Sequence, residues 1–158
     1  MLDAEKLEVQ SDSLEEIART SALDAVRRLR VAIVVEDAGL FVDALHGFPG
    51  PYSSYALRTI ALRGILRLME GVRNRRAVFK SVVAYADPTG NVRTFPGTVA
   101  GMISDEPRGT HGFGFDPIFI PDGRRRTFAE MTIDEKNEIS HRAEAFKALA
   151  RWLLSSGP

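Results

Sequence analysis

Between residues 76 and 104 the chain reads RAVFKSVVAYAD, then PTGN, then VRTFPGTVAGMIS, and this stretch constrains the fold more than any other. The first segment alternates, with Ala77, Phe79, Ser81, Val83 and Tyr85 on one face, which is the period of a half-buried strand. Pro88-Thr89-Gly90-Asn91 is a turn, and residues 92–104 form the returning strand. Pro96 and Gly97 in that strand predict a bulge or an edge, because proline cannot donate to a ladder. A long hairpin of this kind needs cover, so helices must be found for its apolar faces.

They are found on both sides of it. Ser13 with Glu16 is a capping box, and Leu14, Ile17, Ala18, Ala22, Ala25 and Leu29 follow helical spacing, so residues 13–29 are predicted helical. Residues 31–36 read as a buried strand, and HGFPGPYSSY (46–55) as a loop. A second helix is expected over 55–70, with Ile60, Gly64, Ile65 and Leu68 near one side and Gly71 closing it. GTHGFGFDPIFIPDG (109–123) is a glycine-rich loop around a short apolar strand. Thr132 with Glu135 opens a last helix to about Leu154, with Ile139, Ala143, Phe146, Ala150 and Leu153 as its expected buried stripe. The fold class is therefore α/β, a mixed twisted sheet flanked by helices. At 158 residues it is expected to be a single domain, 1–158.

Composition narrows the chemistry. Lys+Arg and Asp+Glu both number 21, and the zero formal charge argues against nucleic acid held by a general basic surface. The clusters Arg73-Arg75-Arg76 and Arg124-Arg125-Arg126 then read as solvated surface. No apolar run is long enough to span a bilayer, and the first residues do not form a signal peptide, so the expectation is a cytoplasmic chain with no membrane partner. Without cysteine, and with His46, His111 and His141 scattered, a bound metal would be held by oxygen, which points to magnesium or manganese.

Three stretches can carry chemistry. In VAIVVEDAGLF (31–41) a core strand runs into Glu36 and Asp37, and an acid at the end of such a strand needs a partner. Asp37 either caps the following backbone, as in an Asx-turn, or binds a divalent cation or serves as a general base. In GTHGFGFD, glycines 109, 112 and 114 permit positive φ, and Phe113 and Phe115 offer a stacking surface, or the loop is merely structural. In EKNEISHR (135–142), Lys136 and Ser140 share a helix face near His141 and Arg142. They are either a solvated face or a set of cationic donors for phosphate and base oxygens.

Taken in order, QSDSLEEIA (10–18), VVEDAGLFVDALHGFPGPYSS (34–54), FPGTVAGMIS (95–104), EPRGTHGFGFDPIFIP (106–121), TFAEM (127–131) and EKNEISHRAEAF (135–146) resemble the Ham1/inosine triphosphate pyrophosphatase family, in its archaeal and eukaryotic form. The resemblance implies a homodimeric, Mg²⁺-dependent hydrolase that converts ITP, dITP and XTP to the monophosphate and pyrophosphate. It implies that Asp37 is a metal ligand and catalytic base, freed by the glycine after it to face the pocket, and that Glu8 is the second metal-binding acid. It implies that Ala38, Phe113, Gly114, Phe115, Asp116, Lys136, His141 and Arg142 contact the substrate. The sequence departs from the family twice. The family opens with a strand and a TGNxxK loop that Met1–Gln10 does not match, so a chain lacking the N-terminal strand, loop and helix is expected. Ala38 stands where the family usually carries serine or threonine. Two other readings remain: a nucleotide-binding chain impaired in catalysis by the missing loop, and a Maf-type pyrophosphatase of different base preference.

Overall fold

The computed structural model describes residues 9–156. Helix α1 (Leu14–Leu29) is capped by Ser13, whose hydroxyl accepts from the Glu16 amide, and ends at Arg30 in the left-handed conformation. There follow β1 (Ile33–Val42), the two-residue β2 (Pro49–Gly50), α2 (Ser53–Thr59), α3 (Ala61–Leu68), β3 (Arg76–Ala86) and β4 (Val92–Ile103). The short β5 (Phe119–Pro121), α4 (Ile133–Ile139) and α5 (His141–Ser156) complete the chain. The sheet runs β2-β1-β3-β4-β5, and every described pairing is antiparallel. No helix of the described residues is long and apolar enough to cross a membrane.

The predicted hairpin is the centre of this sheet. β3 pairs with β4 from Arg76↔Met102 to Ala86↔Val92 in unbroken register, so Pro96 introduces no bulge. Pro96 lies instead on a stretch of β4 beyond the reach of β5, which pairs only with Gly101–Ile103. There α5 satisfies the outer edge: the Thr98 amide donates to Glu144 at 2.7 Å.

Both sheet faces are covered. On one, Leu14, Ala18, Ala22 and Val26 of α1 pack on Val82, Ala84 and Ala86, with Ile33, Val35 and Phe41 beside them. On the other, Ala145 and Leu149 of α5 pack on Val83 and Phe95. The same face continues into a larger core of Leu40, Val42, Phe79, Phe115, Phe119 and Phe128, closed by Ile65 and Met69.

Several expectations are corrected. The strand predicted over 31–36 runs on to Val42, so both acids lie inside it, and Gly39 is no turn. A Cβ at Gly39 would stand 2.2 Å from the Gly50 carbonyl oxygen, so the glycine is there for the close passage of β2. The helix expected over 55–70 breaks where Ala61 takes φ 54°; Ile65 is buried as expected, together with Met69, whereas Ile60 and Leu68 are exposed. The last helix breaks at Ser140, whose extended backbone ends α4 and whose hydroxyl accepts from the Ala143 amide to start α5. α5 then buries His141, Ala145 and Leu149, leaving Phe146 and Leu153 exposed. Arg75 is not solvated surface: its guanidinium donates to the carbonyls of Met69, Ile103 and Ser104, tying α3's end to β4.

Candidate active site

Alternation along β1 decides where its acids point. Glu36 shares a face with Ala38 and Leu40, the face that carries α5, and its carboxylate reaches Arg142. Asp37 is opposite Val82, on the α1 side, diagonal to Lys80. The two acids therefore serve different sides of the sheet. Lys80 sits 4.5 Å over the Phe41 ring on Asp37's side.

The glycine-rich loop is built as its residues require. Gly109, Gly112 and Gly114 all have positive φ, and a side chain at Gly112 would collide with the Asp116 carboxylate. Asp116, 2% exposed, accepts from the Phe113 amide at 2.8 Å and from the Lys136 ammonium. Lys136 is buried at 8% exposure, so the solvated-face reading of its helix does not hold there. A buried cation needs such a partner, because an unpaired one would be costly to desolvate. Phe115 goes inward to the core, while Phe113 stays 61% exposed.

Phe113 is the meeting point. Lys136 lies 4.5 Å and Arg142 4.9 Å from its ring centroid, both within cation–π range. The ring separates two hollows of about 360 and 370 Å³, each in the range of small-molecule sites. Lys136, Thr132, Met131 and Phe128 line the first; Ala38, Gly39, Ser53, Ser54 and Phe79 line the second. Phe113, His141 and Arg142 border both. Gly114, Phe115 and Asp116 join the second.

His141 stacks flat on Phe79, centroids 4.6 Å apart and planes 5° apart. Burial, then the neighbouring Arg142 and Lys136 charges, push its pKa down to about 3. It is therefore neutral at physiological pH, with one ring nitrogen a donor and the other an acceptor. Its Nδ1 is buried with no hydrogen-bond partner among the described residues.

The structure thus brings together Ala38, Phe113, Gly114, Phe115, Asp116, Lys136, His141 and Arg142. Asp37 stands apart on the opposite face of β1, and Glu8 lies outside the described residues. Sequence reasoning missed Ser53, Ser54 and Phe79 as lining residues, and it missed the task of Glu36. Ser81 had left a signal: it is a small polar residue set among Ala77, Phe79 and Val83 on its face of β3. It is directly across the ladder from Ala38, so a hydroxyl stands on that face although residue 38 has none.

Fold and pocket define an α/β protein with an aromatic-lined cleft bordered by two basic side chains, Lys136 and Arg142, each paired with an acid. The chain belongs to the Ham1 family, whose model matches residues 1–152. A dITP/XTP pyrophosphatase of Hyperthermus butylicus is 57% identical over 98% of this chain and 81% of its own length. One of Methanopyrus kandleri is 52% identical, covering 96% and 80% respectively. The Ham1 protein of Staphylococcus aureus superposes with a TM-score of 0.89 at 34% identity, over 96% of this chain and 81% of that one.

Proposed function

We propose that this chain hydrolyses non-standard purine nucleoside triphosphates, ITP, dITP and XTP, to the monophosphate and pyrophosphate. The observation that carries the reading is the convergence of Arg142 and Lys136 on the exposed Phe113 ring, with neutral His141 bordering the same hollows, in a chain 57% identical to a dITP/XTP pyrophosphatase. The ring stacks a base, and the cations supply donors to its oxygen. A 6-oxo purine presents an acceptor at C6 where adenine presents an amino donor, so a donor-lined pocket rejects adenine by leaving donor against donor.

The chemical step lies at the other side of β1. Asp37 takes the proton of a water that attacks the α-phosphorus; the bond from that phosphorus to the bridging oxygen breaks, and pyrophosphate leaves. On this reading the nucleotide reaches both faces of β1, with its base at Arg142 and its α-phosphate near Asp37. Lys80, on the same face as Asp37, is placed to meet phosphate charge. No group of three or more metal-binding side chains gathers among the described residues. Asp37 still fits Mg²⁺, because that ion is commonly held by one or two carboxylates, with waters and substrate phosphates completing its shell. Asp37 and Glu8 would hold Mg²⁺, with Mn²⁺ as a substitute, and the ion would supply charge neutralisation at the phosphate oxygens.

The proposal extends, on the family resemblance, to one domain over 1–158, a homodimer and a cytoplasmic location. A nucleotide rather than nucleic acid is favoured by the zero net charge. Pyrophosphate release is measured with ITP, XTP and ATP, with Mg²⁺ and with excess chelator. ITP and XTP are expected to turn over far faster than ATP, and the chelator to stop the reaction. Equal rates on ATP would overturn the base assignment.

A further inference from the structure

Glu36 has no place in the chemistry above, yet it is the most heavily engaged carboxylate near the pocket. Its neighbours along β1 and across on β3, Ala38, Leu40, Phe79 and Val83, are apolar except for Ser81, and its side chain is only 18% exposed. Its Oε1 accepts from Arg142 Nε at 2.9 Å and from the Ser81 hydroxyl at 2.7 Å, while Oε2 accepts from Arg142 Nη2 at 3.1 Å. Ser81 is fully buried, so this donor is fixed to the sheet. An ion pair so placed adds little net stability, since desolvation offsets most of the attraction. What the bidentate geometry adds is direction: it fixes the guanidinium plane at the start of α5.

A guanidinium has five N–H groups. Glu36 occupies the side edge, Nε and one hydrogen of Nη2, which leaves the end edge formed by Nη1 and the other Nη2 hydrogen. Two parallel donors on that edge match the adjacent O6 and N7 acceptors of a 6-oxo purine. In adenine the first of these acceptors is replaced by an amino group, and a guanidinium that cannot turn away has no other edge to offer. We propose that Glu36, held by Ser81, is a positioning residue that fixes Arg142 so that its end edge reads the 6-oxo group, and so sets discrimination against adenine. This rests on the pocket being a purine site. It also makes a distinction: guanine carries the same O6 and N7, so Glu36 governs ITP against ATP and not ITP against GTP.

The test compares wild type, Glu36→Gln and Ser81→Ala. The amide introduced by Glu36→Gln turns an N–H₂ or a single oxygen toward Arg142 and cannot accept at both positions. Loss of a charge-assisted bond of this kind predicts a fall of about tenfold or more in the ITP/ATP ratio of kcat/KM, carried by KM for ITP. The ITP/GTP ratio should stay within about twofold, and Ser81→Ala should shift the ITP/ATP ratio in the same direction by about threefold. An unchanged ITP/ATP ratio, or an equal fall for all three nucleotides, overturns the proposal. Should Glu36→Gln not fold, Ser81→Ala decides by the same ratios. Calorimetric binding of IMP and AMP separates this inference from the catalytic reading. If wild type releases no pyrophosphate from ITP, that reading fails. A preference for IMP over AMP that Glu36→Gln abolishes still supports the positioning role, and one that survives overturns it.

Discussion

Glu36 and Asp37 are chemically alike and covalent neighbours, and the pleat of one strand gives them unrelated surroundings. Glu36 accepts from an arginine and a serine beside the aromatic ring; Asp37 looks out on the α1 side near Lys80. If Asp37 is the base, Asp37→Asn should lower pyrophosphate release from ITP by about 10² to 10⁴-fold, the usual worth of a positioned proton acceptor. IMP binding should change little, since on this proposal the base-reading residues lie on the other face. A calorimetric titration of the variant with IMP checks this. Unaltered turnover would move the catalytic role elsewhere. At this scale the sequence was most informative where residue types were out of place: an acid in a core strand and a serine in an apolar face both proved engaged. It was silent on Phe79, whose stacking on His141 depends on a contact 62 positions away in the chain.

Among the elements, the central hairpin and most of the α1 stripe were legible, while the end of β1 and the faces of the later helices were not. Alternation located β3 and β4 nearly to the residue because one face of the hairpin is open to solvent along part of its length, at Arg76, Lys80, Pro96, Thr98, Ala100 and Met102, which leaves the period visible. α5 carries two apolar stripes, one through Ala145, Leu149 and Trp152 and one through Phe146, Ala150 and Leu153, and both have helical spacing. The sheet selected the first, where Trp152 packs against Tyr85 and Phe95. The break at Ser140 sets that choice by restarting the helix in a new phase, and no proline or glycine announced it. What holds α5 at its height is Gly97 of β4. A Cβ there would lie 2.1 Å from the His141 carbonyl oxygen and 2.6 Å from the Ala145 amide nitrogen. Gly97→Ala should therefore push the first turn of α5 off the sheet, costing about 2 kcal/mol or more of stability, as overpacking does. Because His141 and Arg142 ride on that turn, affinity for IMP should fall as well. Denaturant unfolding and IMP titration of the variant measure both, and a variant as stable as wild type would contradict the packing argument.

For the molecule as a whole, His141 couples the pocket to folding. Its proton is bound more weakly in the folded state, at about 3, than in the unfolded chain, at about 6.5. The unfolded state therefore binds the extra proton as pH falls, and stability is lost between about 6.5 and 3, by up to about 1.4 kcal/mol per pH unit. Above that window the group contributes no slope. Urea unfolding of wild type and His141→Gln at pH 7.5, 6 and 4.5 isolates this share from that of the carboxylates: the wild type should lose more stability on acidification than the variant. Parallel losses would mean the imidazole is not held neutral.

The sidedness of β1 bears on how such a protein can change over time. If Glu36 positions the base-reading arginine and Asp37 accepts the proton, a substitution on the Glu36 face alters which base is admitted, and one on the Asp37 face alters whether anything is cut. The two traits would then be separately mutable although their residues are adjacent codons. A lineage could drift in nucleobase preference with its chemistry conserved, and a designer could follow the same route by rebuilding one side of a single strand.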